Sequence, residues 1–283
     1  MVKQPRTEGR PVSVTITMLN QKGGVGKTST THHLAGALAQ MGRRVLLVDN
    51  DPQASLTQGI WGPAAAKQLD PAETTAAIYR GDRPYPEQVI RPTGIEGIDL
   101  IPGSRASTRY NLPEPQELGA ELQDVLREFL EEARGPYDLV LIDCPPNLHM
   151  ASYAALTASD HLLVPLQPED YGAQGLSDVH DSLELVTGST NPELTLLGYV
   201  LTMVAPRKSI HQVYEARLRS LYGPAVFDAR VPEAIDFVEA IARRLPIAQY
   251  KPRSTAAKAI RLLADELLAR LAAAGHHAAG EAA

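Results

Sequence analysis

Short runs of β-branched and aliphatic residues alternate along the chain with longer segments in which apolar residues recur every three to four positions. The short runs predict strands at 12–19, 44–48, 98–101, 139–142, 161–166 and 194–203. The longer segments predict helices, notably at 27–41, 116–132 and 255–271. Because strand and helix alternate, we expect an α/β fold with a doubly wound, mostly parallel sheet flanked by helices.

The ends of the chain lack this periodicity. We expect flexible tails at 1–12 and 273–283 around a single domain at 13–272. Glycine and proline cluster at 62–115, but this segment contains a predicted strand, so it indicates an irregular edge of the same domain. No run approaches the roughly 18 apolar residues of a membrane span, and the N-terminal segment lacks the apolar core of a signal peptide. A cytoplasmic protein with no membrane partner is therefore expected.

Charge is unevenly distributed in this chain of 283 residues, which has a net charge of −6. Residues 201–261 contain 11 Lys or Arg and 5 Asp or Glu, so this segment is basic while the remainder is acidic. A local basic face is favoured over a uniformly basic surface. The single cysteine, Cys144, excludes an intramolecular disulfide and the paired-cysteine metal sites, and we interpret it as a small packed residue.

The segment 14–31 predicts a phosphate-binding site, because an apolar strand leads through a glycine-rich loop into a helix. Glycines allow the backbone to bend so that consecutive N–H groups and the helix N-terminus face phosphate oxygens. The loop residues expected to contact the nucleotide are Gly23, Gly24, Val25 and Gly26. Lys27 is expected to bridge the β- and γ-phosphates, Thr28 to place its hydroxyl on Mg²⁺, and Ser29 to lie near the α-phosphate.

Three aspartates follow two further predicted strands. Asp49 directly follows the strand at 44–48, and Asp51 comes two positions later. Asp143 directly follows the strand at 139–142. Since ligands bind beyond the carboxyl ends of parallel strands, we expect these carboxylates to converge on the phosphates and the metal. A helix cap is the alternative role for Asp143, and a proline-containing turn is the alternative for Asp49 and Asp51.

The glycine loop departs from the general pattern G-x-x-x-x-G-K-[ST], because Gln21 occupies the position of the first glycine. The string KGGVGKT instead resembles the deviant Walker A box, in which a further lysine, Lys22, precedes the glycines. Together with VLLVDNDPQAS, YDLVLIDCPP and LLVPLQPEDYGAQG, it resembles the ParA/Soj branch of the ParA/MinD superfamily of P-loop NTPases, which has a SIMIBI-like fold. The resemblance covers roughly residues 12–272.

The resemblance implies a role for each matching residue. Lys22 matches the lysine that reaches across a nucleotide-sandwich dimer to the partner's phosphates, and Asp51 matches the carboxylate that orients the attacking water. Asp143 matches the Walker B aspartate, which acts on Mg²⁺ through water, with Asp49 nearby. Pro232 is implied to lie near the adenine. The implied cofactors are ATP and Mg²⁺, and the catalytic residues are Lys22, Lys27 and Asp51.

The family also implies a reaction cycle in which ATP hydrolysis is coupled to homodimerisation. The ATP-bound dimer would bind duplex DNA non-specifically, and a ParB-like or cargo-adaptor protein would stimulate hydrolysis and release. A nucleoid-associated protein that segregates a chromosome, a plasmid or another large cargo is expected. A lysine supplied in trans suits such a switch, because a cation contributed by a partner strongly accelerates phosphoryl transfer.

The DNA contacts are the part of the resemblance that transfers least directly. Where chromosomal relatives carry I-P-R-N-V-R, this chain has VPEAID, so Glu233 and Asp236 replace both arginines. For each remaining cation the alternative is a solvated surface residue. The candidate DNA contacts are Arg207, Lys208, Arg217, Arg219, Arg243, Arg244, Lys251, Arg253, Lys258 and Arg261.

Two other functions remain open on the same fold. One is an ATP-using metabolic enzyme or a metal carrier, such as a dethiobiotin-synthetase-like ligase or an iron–sulfur carrier, and the single cysteine disfavours the carrier. The other is a MinD-like regulator at a membrane surface, which would need a basic amphipathic C-terminal anchor. The terminal AAAGHHAAGEAA has no bulky apolar face.

Overall fold

The computed structural model describes residues 13–168, 172–205 and 207–281, except for the side chains of residues 116, 172–175 and 276–281. Its strands form one sheet within these ranges. The strands are β1 (Val14–Met18), β2 (Val45–Asp49), β3 (Arg91–Pro92), β4 (Ile98–Ile101), β5 (Leu139–Asp143), β6 (His161–Leu166), β7 (Thr195–Val204) and β8 (Val226–Pro232).

The sheet has the strand order β3-β4-β2-β5-β1-β6-β7-β8. Every neighbouring pair is parallel except β3 with β4. The strand β1 lies between β5 and β6, and β5 in turn pairs with β2. The carboxyl ends of β1, β2 and β5 therefore lie side by side, with Met18 opposite Asp143 and Asp143 opposite Asp49.

Helices follow most strands. Those of the described residues are α1 (Lys27–Gln40), α2 (Ser55–Trp61), α3 (Pro63–Gln68), α4 (Thr75–Tyr79), α5 (Pro86–Val89), α6 (Ala120–Ala133), α7 (Met150–Thr157), α8 (Gly172–Thr187), α9 (Ser209–Tyr222), α10 (Ile235–Ala242), α11 (Ile247–Tyr250) and α12 (Thr255–Glu281). Short 3₁₀ turns lie at Pro71–Glu73, Arg105–Tyr110, Pro115–Glu117 and Gly223–Ala225.

Both faces of the sheet are covered by apolar cores. On one face Leu46 and Val48 of β2 pack with residues of α4, α6, α7 and α8. On the other face Val45 and Leu47 of the same strand pack with α1, α2, α10, α11 and α12. Because side chains alternate along a strand, a continuous apolar run such as VLLV supplies both cores at once. The predicted α/β fold with a doubly wound, mostly parallel sheet is confirmed.

The predicted elements agree with this fold apart from their ends and two strands. All six predicted strands are present, but β3 and β8 were not expected. In β8, exposed Asp228 and Arg230 alternate with buried Phe227, Ala229 and Val231, so the strand is not a continuous apolar run, although this alternation is typical of a strand with one buried face. The helix predicted at 116–132 starts later, at Ala120, after the 3₁₀ turn that begins at Pro115.

The two predicted tails have different outcomes. Helix α12 continues past residue 271 to Glu281, so most of the segment expected to be a flexible C-terminal tail is helical. The expected N-terminal tail at 1–12 lies outside the described residues, as do residues 282–283. Within the part of the chain that the structure describes, no helix combines the length and the apolarity needed to cross a bilayer.

Candidate nucleotide-binding site

The glycine-rich loop connects β1 to α1 as predicted, at the centre of the sheet. Gly24 and Gly26 have φ angles of 78° and 81°, in the left-handed region that glycine adopts without strain. Gly26 is the N-cap of α1, so the first helical residue is Lys27. The loop therefore leads directly into a helix N-terminus, where unpaired backbone N–H groups favour an anion.

Three polar contacts fix the shape of this loop. Asn20 is buried and donates from Nδ2 to the Pro165 carbonyl oxygen (2.7 Å), while its Oδ1 accepts from the Lys22 N–H (2.8 Å). From β7, the Thr202 hydroxyl donates to the Val25 carbonyl oxygen (2.7 Å). Asn20 and Thr202 were not identified from the sequence, because their role depends on which distant backbone atoms the sheet brings near them.

Lys27 is buried at the start of α1, with an exposed fraction of 7%. Its Nζ donates to the Lys22 carbonyl oxygen (3.0 Å), so the ammonium group lies against the loop. Burial lowers the pKa of Lys27, and the nearby carboxyl of Asp143 acts in the opposite direction. A buried cation that faces this loop is suited to bind phosphate oxygens.

Asp49 and Asp143 are neighbours on adjacent strands and are completely buried. Neither oxygen of Asp143 has a hydrogen-bond partner among the described residues, and the same is true of Asp49 Oδ1. Burial raises the pKa of Asp143 well above its usual range, and the neighbouring Asp49 adds to this effect, while the Thr28 hydroxyl opposes it. Burial also raises the pKa of Asp49 to about 7. Two adjacent buried carboxyl groups without enough donors form a site suited to a cation.

Asp51 lies beside this pair at the edge of the site, with an exposed fraction of 9%. Its Oδ1 accepts from the Gln53 N–H (2.9 Å), and its backbone oxygen accepts from the Ala54 N–H (2.8 Å). Burial raises the pKa of Asp51, whereas Lys27 and the Gln53 N–H act in the opposite direction. The turn role is therefore present, and the turn places the carboxylate near Lys27, which is compatible with the predicted site role.

The carboxylates fit Mg²⁺ better than a metal held by protein ligands alone. Among the described residues, no group of three or more His, Cys, Asp or Glu side chains is arranged to hold a metal ion. Mg²⁺ usually keeps several waters and is bound through one or two carboxylates together with substrate phosphates. The unpartnered oxygens of Asp143 and Asp49, close to the loop, match that requirement.

The other candidate at this edge of the sheet is Pro232, the last residue of β8. It lies opposite Val204, two positions after the Thr202 that holds the loop. Pro232 is therefore at the same carboxyl edge as the loop. Cys144, directly after Asp143, is buried, and burial raises the pKa of its thiol well above its usual range, as expected of a packed residue.

Half of the candidate DNA contacts are already engaged within the chain. Lys208 pairs with Glu233 (3.3 Å), and Lys251 pairs with Asp236 (2.6 Å) and Glu239 (2.5 Å). The same holds for three arginines: Arg219 pairs with Glu215 and Asp228, Arg261 with Asp265, and Arg244 donates to the Gln58 and Ile241 carbonyl oxygens. The candidates that are exposed and form no ion pair with another described residue are Arg207, Arg217, Arg243, Arg253 and Lys258.

Similarity to known proteins agrees with this geometry. A family model described as an AAA domain matches residues 13–196. The chain is 34% identical to the chromosome partitioning protein ParA of Caulobacter vibrioides over 257 residues, which are 90% of this chain and 94% of that protein. It is 37% identical to the chromosome-partitioning ATPase Soj of Thermus thermophilus over 262 residues, 90% of this chain and 96% of that one.

The chain belongs to the ParA/Soj family of partition ATPases. The resemblance carried by the sequence motifs is therefore confirmed. Among solved structures, the cobyrinic acid a,c-diamide synthase of Mycobacterium smegmatis, with bound ATP analog and magnesium, matches with a TM-score of 0.76 and 29% identity. The match covers 91% of this chain and 95% of that one. This chain thus shares its fold with a differently named protein whose structure contains an ATP analog and magnesium.

Proposed function

We propose that this ParA/Soj protein binds and hydrolyses ATP with Mg²⁺, and that ATP brings two copies of the chain together. The ATP-bound dimer binds duplex DNA non-specifically and positions a chromosome, a plasmid or another large cargo. A ParB-like or cargo-adaptor protein stimulates hydrolysis and resets the dimer. The observation that supports this most directly is the pair of buried carboxyl groups of Asp49 and Asp143 beside Lys27 and the glycine loop, three of whose four oxygens have no hydrogen-bond partner among the described residues.

In this proposal the residues at the loop bind the triphosphate. Backbone N–H groups of Gly23, Gly24, Val25 and Gly26 contact its oxygens, Lys27 bridges the β- and γ-phosphates, and Ser29 lies near the α-phosphate. Thr28, Asp143 and Asp49 would hold Mg²⁺, with Asp143 acting through water, and Pro232 would lie near the adenine. When bound, Mg²⁺ supplies charge that stabilises the phosphoryl oxygens during transfer.

Hydrolysis then depends on how this chain orients a water molecule. In this proposal, the Asp51 carboxylate accepts a hydrogen bond from that water. Two observations support this role: the carboxylate lies near Lys27, and the Gln53 N–H holds it in place. One carboxylate does little to activate water alone, so a slow basal rate is expected. Lys22 of each subunit completes the other subunit's site, which makes the dimer interface dependent on the triphosphate.

DNA binding is assigned to the exposed cations of the basic segment. Arg207, Arg217, Arg243, Arg253 and Lys258 are the candidates that no acidic neighbour neutralises among the described residues. Dimerisation doubles this set, and contacts of several lysines or arginines with phosphates give salt-dependent, sequence-independent binding. Such binding places the protein on the nucleoid in the cytoplasm.

A titration of duplex DNA with the protein in ADP, ATP or a non-hydrolysable ATP analogue tests the proposal. We expect tight binding with ATP and with the analogue, weak binding with ADP, and a steep loss of affinity between about 50 and 200 mM salt. Equal binding in all three nucleotides would contradict an ATP-dependent DNA-binding dimer.

The second candidate is an ATP-using metabolic enzyme, which the match to the diamide synthase favours. The two partition relatives match at higher identity, over about the same share of this chain, so positioning remains the first proposal. The two candidates differ in one simple measurement. Duplex DNA and an adaptor should change the ATPase rate of a positioning protein, whereas they should leave that of a metabolic enzyme unchanged.

A further inference from the structure

Thr57 is a completely buried residue of α2 whose polar atoms meet the Asp49 side chain. Its backbone N–H donates to Asp49 Oδ2 (2.7 Å), and its hydroxyl donates to the same oxygen (2.6 Å). The hydroxyl oxygen accepts in turn from the Gly103 N–H (2.9 Å). A chain of hydrogen bonds therefore runs from the loop after β4 through Thr57 to Asp49.

This chain fixes the direction of the Thr57 hydroxyl. A hydroxyl has one proton to donate, and here the Gly103 N–H approaches the lone pairs of Oγ1. The proton is thus directed to Asp49 Oδ2, which receives two hydrogen bonds, whereas Asp49 Oδ1 has no partner among the described residues. One carboxylate oxygen is held by two hydrogen bonds, and the other has no hydrogen-bond partner among the described residues.

Gly103 restricts the same carboxylate from a second side. A Cβ atom at Gly103 would lie 2.8 Å from Asp49 Cγ and 3.0 Å from Oδ1, closer than real contacts of this kind. The absence of a side chain at Gly103 therefore allows the loop to pack directly on Asp49. With Thr57 on one oxygen and the loop backbone against the carboxyl group, the carboxylate has little freedom to rotate.

Helix α2 is itself anchored to neighbouring helices on the same face of the sheet. Arg244 Nη1, at the end of α10, donates to the Gln58 carbonyl oxygen (2.9 Å). One residue further, Gly59 packs close to Ile241 and His32. The residues that flank Thr57 are thus held by α10 and α1, so the backbone that presents Thr57 to Asp49 is fixed.

We propose that Thr57 is a positioning residue that turns Asp49 so that Oδ1 serves the divalent cation of the nucleotide site. This inference rests on the proposed function, because it requires that the nucleotide binds together with Mg²⁺. Groups that hydrogen-bond a metal-ligating carboxylate orient it, and their loss commonly lowers metal affinity or activity about 10- to 100-fold.

The test measures the affinity of a fluorescent ADP analogue with Mg²⁺ and with EDTA, so that no turnover is needed. The variants are Thr57→Val, which removes the hydroxyl at nearly constant volume, and Thr57→Ser, which keeps it. Thr75→Val is the matched control, because buried Thr75 donates to the backbone oxygen of Asp49 and not to its carboxylate. Thermal unfolding of each variant reports on the fold.

In the wild-type protein, Mg²⁺ should raise the affinity for the ADP analogue. We expect this increase to be about tenfold smaller in Thr57→Val. Thr57→Ser and Thr75→Val should keep that gain within about threefold, as expected if only the hydroxyl on the carboxylate matters. If valine prevents folding, Thr57→Ala removes the hydroxyl without placing a methyl group against the carboxylate.

Two results would overturn the inference. One is an unchanged Mg²⁺-dependent gain in a folded variant that lacks the hydroxyl. The other is an equal loss of affinity with Mg²⁺ and with EDTA, which indicates a merely structural role. Failure of the proposed function looks different, because the wild-type protein would then bind the nucleotide equally well with and without Mg²⁺, or not at all.

Discussion

The nucleotide site and the basic segment 201–261 both contain many charged residues, but the charged groups differ in burial and in pairing. At the nucleotide site, Asp49, Asp143 and Lys27 are buried, and three carboxylate oxygens have no partner among the described residues. In the basic segment, exposed cations such as Lys208 and Lys251 are paired with nearby acids. Burying unpaired charge is costly, whereas exposed ion pairs contribute little to stability.

This difference shows which charged residues of a sequence indicate a binding site. Unpartnered buried carboxyl groups destabilise the fold unless something binds them, so their presence points to a ligand. A count of lysine and arginine in segment 201–261 overestimates the positive potential of its surface. Glu233, Asp236 and Glu239 form ion pairs with lysines of this segment and neutralise part of their charge.

The largest effect is expected at the glycine loop. Lys27→Ala should weaken ATP binding at least about a hundredfold, because losing a buried charged contact costs roughly 3 kcal/mol. Lys22→Ala should leave ATP affinity nearly unchanged while it reduces dimerisation and turnover. Isothermal titration with ATP, combined with size-exclusion chromatography, separates the two. Equal losses of ATP affinity would remove the distinction between the lysines.

Asp51→Ala tests the carboxylate next to that lysine. We expect ATP to bind, turnover to fall about 10²- to 10⁴-fold because water is no longer oriented, and dimer to accumulate. Measurements of released phosphate and of molar mass by light scattering report both effects. A variant that binds ATP but remains monomeric would argue against a triphosphate-dependent dimer.

The basic segment should show a smaller and graded response. Arg217 and Arg219 lie two positions apart on α9, but Arg219 pairs with Glu215 and Asp228 while Arg217 is exposed and unpaired among the described residues. Arg217→Ala should weaken DNA binding several-fold and reduce the slope of log affinity against log salt by about 1. Arg219→Ala is the matched control, and a larger effect there would reverse the assignment.

The smallest expected effect concerns His32, which is buried in α1. Burial lowers the pKa of His32 to about 4, so the folded state favours the neutral ring. Its contribution to stability is present above the unfolded pKa near 6.5 and is lost as the pH falls below it, by about 1.4 kcal/mol at pH 5.5.

Urea unfolding at several pH values measures this contribution. His32→Gln should flatten the decline of the unfolding free energy between pH 6.5 and 4 relative to the wild type. The raised pKa values of Asp49 and Asp143 change stability in the opposite sense, but both proteins share them, so they cancel in the comparison. Parallel curves for the two proteins would show that His32 does not titrate with unfolding.

Much of the site could be predicted because its residues lie in short, contiguous segments of the sequence. The loop with Lys22 and Lys27 is local, and Asp143 directly follows an apolar run, so periodicity and strand ends were enough to bring them together. Thr57 and Gly103 could not be found this way, since they are 46 positions apart and meet only because β2 and β4 pair in one register.

Two further features were missed, for different reasons. Strand β8 alternates exposed and buried residues, a pattern typical of a strand with one buried face, but it is not a continuous apolar run. Some ion pairs of the basic segment depend on tertiary packing, since Arg219 meets Asp228 only after α9 folds back beside β8. The pairs Arg219–Glu215 and Arg261–Asp265 are four positions apart on one helix, so they could be predicted from the sequence. Contacts between distant segments depend on tertiary packing, which a local pattern does not contain.

The most direct test of the account mixes two variants that should each be inactive, Lys22→Ala and Asp51→Ala. In a mixed dimer, the Asp51→Ala subunit donates its intact Lys22 to the partner's site, which retains Asp51. We expect the mixture to recover turnover that neither variant shows alone, up to about a quarter of the wild-type rate, because at most about half of the dimers are mixed and each carries one complete site. Turnover that stays at the sum of the two separate variants would contradict a lysine acting across the dimer.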